Sequence, residues 1–335
     1  MVVNVLKEYF LSLDIGGTKT SAAVFDESGN IIENYVYVAK SVTSQGKEKV
    51  YENTKNIINK TLKHLGLAQK DIRGIGVGAP GPLNVKKGEI IHAPLMNWKN
   101  FPLVDRLQKD YKIPVCLEND GNLGAYAENM CGKAVGKQDV IYITVSTGIG
   151  GGFIHKGQIY HGCRDRAMEV GHITVSPYGL KCPCGSRGCL ELYASGTAIT
   201  NRICKDMKSG KIKSRAFDDV KYDEKLLNTK GLFEAALNED EYAKEIFQET
   251  GNYLGIGIGI LFSLFDPEVL IIGGGVSKAS RFFWDNLIES ARIHSINPIQ
   301  DNQIQISELC DQVVLYGAHY LIKNHLEKEG KNKLC

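Results

Sequence analysis

The sequence predicts an α/β protein built from two related domains, and three observations carry that prediction. Residues 10–32 and 140–161 share one pattern: an apolar strand, a glycine-rich turn, a second apolar strand, a turn carrying Gly29 or Gly157, and a third strand. Stretches of helical character follow each copy, so the unit repeats as alternating α and β structure. No linker or low-complexity segment interrupts the 335 residues, a length that suits two domains of ordinary size.

The elements between these copies follow in order. KVYENTKNIINKTLKHLG (49–66) sets Ile57, Ile58, Leu62 and Leu65 at helical spacing. DIRGIGVGAPGP (71–82) reads as a buried strand running into a Gly/Pro turn. KIPVCLENDGNLGAYAENM (112–130) reads as strand, polar turn and helix, with Asp120 expected at the helix N-cap. Residues 232–263 read as mostly helical, with the stretch Gly255-x-Gly257-x-Gly259 arguing against it. PEVLIIGGGVS (267–277) is a strand closed by glycines, and residues 311–328 form a closing amphipathic helix. The expected division is a small domain of residues 1–119 plus 311–335 and a larger one of 120–310.

Composition narrows the function classes. A formal charge of +2 gives no footprint for nucleic acid or for a membrane surface. The basic KEGKNK stretch near the C-terminus reads as a solvated helix end. Residues 1–14 lack the basic leader, apolar run and cleavage site of a signal peptide. The longest apolar run, 254–265, ends at Asp266-Pro267 and is too short to span a bilayer. Nine cysteines without a secretion signal point to a reducing compartment, hence the cytoplasm, and to thiols rather than disulfides.

Two loops suggest phosphate chemistry. DIGGTKT (14–20) lies between two strands, which excludes a Walker loop and a dinucleotide fingerprint, since both lead into a helix. Backbone N–H groups in such a turn can face an anion because no Cβ blocks the approach. Gly16, Gly17, Thr18 and Lys19 are the candidates, with Asp14 placed to hold magnesium through water. A Gly-Gly hairpin alone is more often only a turn. STGIGGG (146–152) repeats the feature, with Thr147 and Gly148, and Gly273, Gly274 and Gly275 end a further strand. Three such loops in this order resemble the actin/Hsp70/sugar-kinase fold: two ribonuclease H-like domains with an inter-domain cleft. In ENDGN (118–122), Asp120 is either simply a helix cap or a carboxylate that takes a proton from an attacking hydroxyl.

A third feature is the spacing His172-x9-Cys182-x-Cys184-x4-Cys189. Three thiolates and an imidazole suit tetrahedral zinc, against the alternative of four residues that merely share a loop. Glu169 and Glu191 flank the set; alone, each is an ordinary surface glutamate.

Together LDIGGTKT, GAPGP, ENDGN, STGIGGG, EVGH, CPCGSRGC followed by LE, and IIGGGVS resemble the ROK family (repressor, open reading frame, kinase) in order over nearly the whole chain. The resemblance implies an ATP- and Mg2+-dependent hexose kinase with a structural Zn2+ on His172, Cys182, Cys184 and Cys189. It implies Asp120 as general base and Gly81, Asn119, Asp120, Glu169, His172 and Glu191 as sugar contacts. Family members are usually homodimers or homotetramers. GAPGP and NWKNFPL favour a glucokinase-like member over kinases of N-acetylmannosamine, N-acetylglucosamine or fructose. Met168 stands where the family often has glycine, and Asn97 before Trp98 is either a sugar contact or structural. Some members are repressors with a preceding helix-turn-helix domain; thirteen residues before Asp14 leave no room for one, so no nucleic-acid partner is expected.

Overall fold

The computed structural model describes residues 8–93, 96–210, 212 and 228–332; Pro94 and Leu95 of the loop before Trp98 lie outside them. The chain forms two compact units. The first takes in the described parts of Met1–Gly136, Gly152–Ala167 and Gln312–Cys335; the second takes in those of Lys137–Gly151 and Met168–Asp311.

The first unit opens with strands β1 (Tyr9–Ile15), β2 (Lys19–Phe25) and β3 (Ile31–Lys40), then helix α1 (Lys47–His64) and strand β4 (Ile72–Ala79). A small three-stranded sheet follows from β5 (Leu83–Asn84), β6 (Glu89–Ala93) and β7 (Trp98–Phe101), then α2 (Leu103–Tyr111), β8 (Val115–Asn119) and α3 (Asp120–Cys131). The main sheet has the order β3-β2-β1-β4-β8, with β1 and β2 antiparallel and β4 parallel to both β1 and β8. Strands β1, β2 and β4 are mostly buried because both faces are covered, while edge strand β3 is mostly half-buried or exposed. One face takes α1 and α2, through Val50, Tyr51, Ile57, Ile58, Leu103 and Leu107.

The other face takes the closing helix α9 (Val313–Asn332), and the sequence of β4 explains how. Gly74, Gly76 and Gly78 recur at every second position and so share one face of the strand. A Cβ at Gly76 would sit 2.0 Å from the carbonyl oxygen of Ala318, and one at Gly78 2.3 Å from Val314. The glycines thus let helix backbone lie directly on strand backbone, while Ile75, Val77 and Ala79 fill the opposite core.

The second unit is built on β9 (Val140–Val145) and the start of β10 (Ile149–His155), which is followed by the two-residue β11 (Gln158–Ile159). Helices α4 (Glu191–Ala194), α5 (Gly196–Lys208), α6 (Thr229–Leu237) and α7 (Glu241–Phe265) precede β12 (Val269–Gly273), α8 (Trp284–Ile293) and β13 (Ile304–Ile306). The sheet order β11-β10-β9-β12-β13 repeats, strand for strand, the order β3-β2-β1-β4-β8. The repeat seen in the sequence is therefore a repeat of topology, with the third strand of the second copy reduced to two residues.

Helix α7 runs unbroken through its glycines. Gly251, Gly255 and Gly259 lie at i, i+4 and i+8, one face of the helix. A Cβ at Gly251 would meet the Phe283 carbonyl at 2.5 Å, and at Gly255 the Leu287 carbonyl at 2.5 Å. Close packing on α8 outweighs the weak helix propensity of glycine here. Among the described residues no helix is long and apolar enough to cross a membrane.

Candidate functional site

In the first unit the β1–β2 hairpin turns at Gly16-Gly17-Thr18, with Gly16 N donating to Lys19 O at 2.9 Å. Its outer side is braced by Ser41, whose hydroxyl donates to Gly16 O at 2.6 Å and bonds the Thr20 hydroxyl at 3.0 Å. Ser41 carried no signal in the sequence because it lies 25 positions away. Thr18 and Lys19 are exposed on the turn. Asp14 ends β1; burial, and then the negative charge of Asp120, push its carboxyl up to about 7, with Lys19 opposing. Asp14 and Asp120 are thus electrostatic neighbours, as a shared cation would require.

Asp120 is not the N-cap of α3, contrary to the sequence expectation. Asn119 caps the helix: its Oδ1 accepts from Gly121 N at 3.0 Å and Asn122 N at 3.4 Å. Both residue types cap well, so the sequence could not separate them. The shift puts Asp120 at the first helical position, partly exposed, where the helix dipole favours its anion. Gly81, before a cis peptide to Pro82, lies against Asn119, whose Nδ2 would be 3.4 Å from a Cβ there.

Two further residues shape this junction and were not found in the sequence. Glu118 is 1% exposed and accepts from Asn119 N at 2.8 Å, Asn122 Nδ2 at 2.9 Å and His161 Nε2 at 2.7 Å. The Glu118 carboxylate raises the His161 imidazole above its ordinary value, so the pair is a charge-assisted brace. An acid inside the apolar strand VCLEN was the available signal; its partner 43 residues on was not legible.

In the second unit the β9–β10 turn closes with Ser146 N donating to Gly148 O at 2.9 Å. Helix α5 docks on it: Gly196 N donates to Ser146 O at 2.7 Å, and the Thr197 hydroxyl to Thr147 O at 2.7 Å. Glu191 reaches the same turn, one oxygen accepting from Ile149 N at 2.8 Å. A cavity of about 680 Å³ brings Thr147 and Gly275 together with Phe233, Val276, Ala279, Lys230 and Lys278. Gly148, Gly273 and Gly274 do not line it. Gly273 and Gly274 instead pack on β9, where a Cβ would meet Tyr142 and Val145 at 2.2 and 2.4 Å.

His172, Cys182, Cys184 and Cys189 converge, each offering a ligand atom within 4.8 Å of the others. The Sγ atoms of Cys184 and Cys189 are 3.7 Å apart, and His172 Nδ1 is 3.8 Å from Cys182 Sγ. A tetrahedron with metal–sulfur bonds of about 2.3 Å has sulfur–sulfur edges of about 3.8 Å, so the donor set fits zinc in chemistry and spacing. Glu169 and His172 bracket one 3-10 turn, with Glu169 exposed. Gly171 seats that turn on β10, since a Cβ there would lie 2.3 Å from Ile149 O. Met168 takes φ +63°, the left-handed region that glycine occupies without strain. Trp98 is buried, stacked on Phe101 and donating to Lys47 O at 3.0 Å, and Asn97 sits exposed at φ +53° in the preceding turn.

Comparison with known proteins places this arrangement. The chain is 32% identical over 330 residues to a glucokinase of Halalkalibacterium halodurans, covering 97% of this chain and 99% of that one. It is 30% identical to a xylose repressor of Caldicellulosiruptor bescii, over 92% of this chain and 76% of the repressor. Among solved structures, a ROK family glucokinase from Streptomyces griseus in complex with glucose and AMPPNP superposes with a TM-score of 0.82 at 32% identity, covering 93% of this chain and 98% of that one. The ROK family profile matches residues 10–325, and the chain belongs to the ROK family.

Proposed function

We propose that the protein is an ATP-dependent glucokinase that phosphorylates D-glucose at its 6-hydroxyl. The observation that carries this reading is end-to-end similarity to a glucokinase, with Asp14 and Asp120 both present at the hairpin end and the helix start. The same pair favours a kinase over the repressors in the family, because sugar binding alone needs no phosphoryl-transfer carboxylates.

Asp120 accepts the proton of the sugar hydroxyl as that oxygen forms a bond to the γ-phosphorus. The bond from the γ-phosphorus to the bridging oxygen breaks, and ADP leaves with the electron pair. The Asn119 side-chain oxygen is occupied by the helix cap, which leaves its Nδ2 to donate to a sugar hydroxyl. Gly81 keeps space open beside that amide. Gly16, Gly17, Thr18 and Lys19 on one hairpin, and Thr147 and Gly148 on the other, hold phosphates. Gly275, Phe233 and Val276 line the cavity that takes the adenosine part. Gly273 and Gly274 serve this site indirectly, by bringing β12 close to β9. Asp14 would hold magnesium, which would supply charge neutralisation to the phosphates; burial first, and then the charge of Asp120, push its carboxyl up to about 7.

His172, Cys182, Cys184 and Cys189 would hold zinc, which would fix the orientation of the His172 ring; His172 is a sugar contact in this reading. Glu169 and the second oxygen of Glu191 accept from neighbouring hydroxyls. Met168 beside Glu169 is the departure that bears on a second reading, a kinase of N-acetylmannosamine or N-acetylglucosamine, because it reshapes the same wall.

Asp120→Ala is expected to lower kcat on the order of 10²- to 10⁴-fold with the melting temperature nearly unchanged. Retention of more than a tenth of the activity would remove Asp120 from the role of base.

A further inference from the structure

We infer that the first unit carries a second ligand site, a cationic cavity that binds a phosphate ester. The cavity has a volume of about 730 Å³ and is walled by Lys86, Tyr160, His161, Arg164, Asp165 and Arg166. None of the residues assigned above to sugar, phosphate or zinc lines it.

The charge pattern separates this cavity from an ordinary solvated surface. Among the eight described arginines, Arg73, Arg106, Arg202 and Arg292 pair with carboxylates. Arg187 donates to Gly179 O, and Arg281 lies over the Phe282 ring. Only Arg164 and Arg166 have no such partner, and both stand on this one wall with Lys86, also unpaired. The wall has a single carboxylate, Asp165, and one of its oxygens already accepts from Val85 N at 3.2 Å. Unpaired guanidinium groups beside an ammonium in a concave site match a phosphate, which takes the guanidinium fork in a bidentate manner. The volume lies in the range of small-molecule sites and exceeds what a bare anion needs.

The cavity also has a route to the chemistry. His161 lines it and bonds Glu118 at 2.7 Å; Glu118 in turn holds Asn119 and Asn122 at the start of α3. Because His161 both lines the cavity and bonds Glu118, occupancy acts on the segment that carries Asp120. Binding itself is independent of the glucokinase reading; only this coupling rests on it.

The test is calorimetric titration with glucose 6-phosphate, fructose 1,6-bisphosphate and inorganic phosphate, with D-glucose saturating. The wild-type protein is compared with the triple variant Lys86→Gln, Arg164→Gln, Arg166→Gln. At least one hexose phosphate is expected to bind with Kd below about 1 mM, and at least tenfold more weakly in the variant. The variant's kcat/KM for glucose without added anion is expected to be unchanged. Equal binding by inorganic phosphate supports the site and assigns recognition to the phosphate alone. Absence of binding by all three probes, or equal affinity in wild type and variant, overturns the proposal. A chain that binds the anions but phosphorylates no sugar leaves the site standing and removes the kinase reading.

Discussion

Asp14 and His319 both have strongly shifted ionisation, with different meanings. Asp14 is held up by burial and by Asp120, a pair that a divalent cation relieves. His319 is different. It is 0% exposed, stacked on Phe25 at 4.7 Å, and neither ring nitrogen has a hydrogen-bond partner. Burial, aided by Lys323, lowers its imidazole to about 4. The unfolded chain takes up a proton near pH 6.5 that the folded chain refuses down to about 4. Stability is therefore lost as pH falls through that window, by up to about 3 kcal/mol from this group. His319→Phe keeps the stacking and removes the proton, so its melting temperature should exceed that of wild type by more at pH 5 than at pH 8. Equal differences at the two pH values would show that His319 does not titrate in the folded state as described.

At the scale of elements, glycines repeatedly decide how one element reaches another. In β4 they seat α9, and in α7 they seat α8. Gly255→Ala improves intrinsic helix propensity by about 1 kcal/mol, yet its Cβ would lie 2.5 Å from Leu287 O and Ser290 Cβ. The packing cost should win, with a net loss of about 1–3 kcal/mol in thermal or denaturant unfolding. A stabilised variant would mean that α8 moves away freely. The cysteine loop is a second such element. It is short, tied by Cys182 N to Ser186 O at 2.8 Å and by the Thr174–Cys189 bridge, and Gly171 seats the adjoining turn on β10. Cys184→Ser is expected to reduce bound zinc from one per chain to substoichiometric levels by elemental analysis. It should also raise KM for sugar more than KM for ATP, because the loop carries His172 and Glu169. Full zinc occupancy in the variant would exclude Cys184 as a ligand.

For the whole molecule, the legible part of the fold was the part written in local pattern. The two glycine hairpins, the helix over α1 and the strand–helix junction at Asn119–Asp120 all follow from alternation and turn chemistry within a few residues. What depended on contacts far apart in sequence was not legible. Helix α7 overrides its glycines because α8 covers them. Glu118 pairs with His161 across 43 positions, and Glu191 turns out to bond the β9–β10 hairpin at Ile149 N. The convergence of His172, Cys182, Cys184 and Cys189 was legible because all four lie within one short segment. The most direct test of the central claim is ATP turnover with magnesium across glucose, mannose, fructose, N-acetylmannosamine and N-acetylglucosamine. The account predicts the highest kcat/KM for glucose and the loss of that activity in Asp120→Ala. A higher kcat/KM for an acetamido sugar, or no turnover with any hexose, would contradict it.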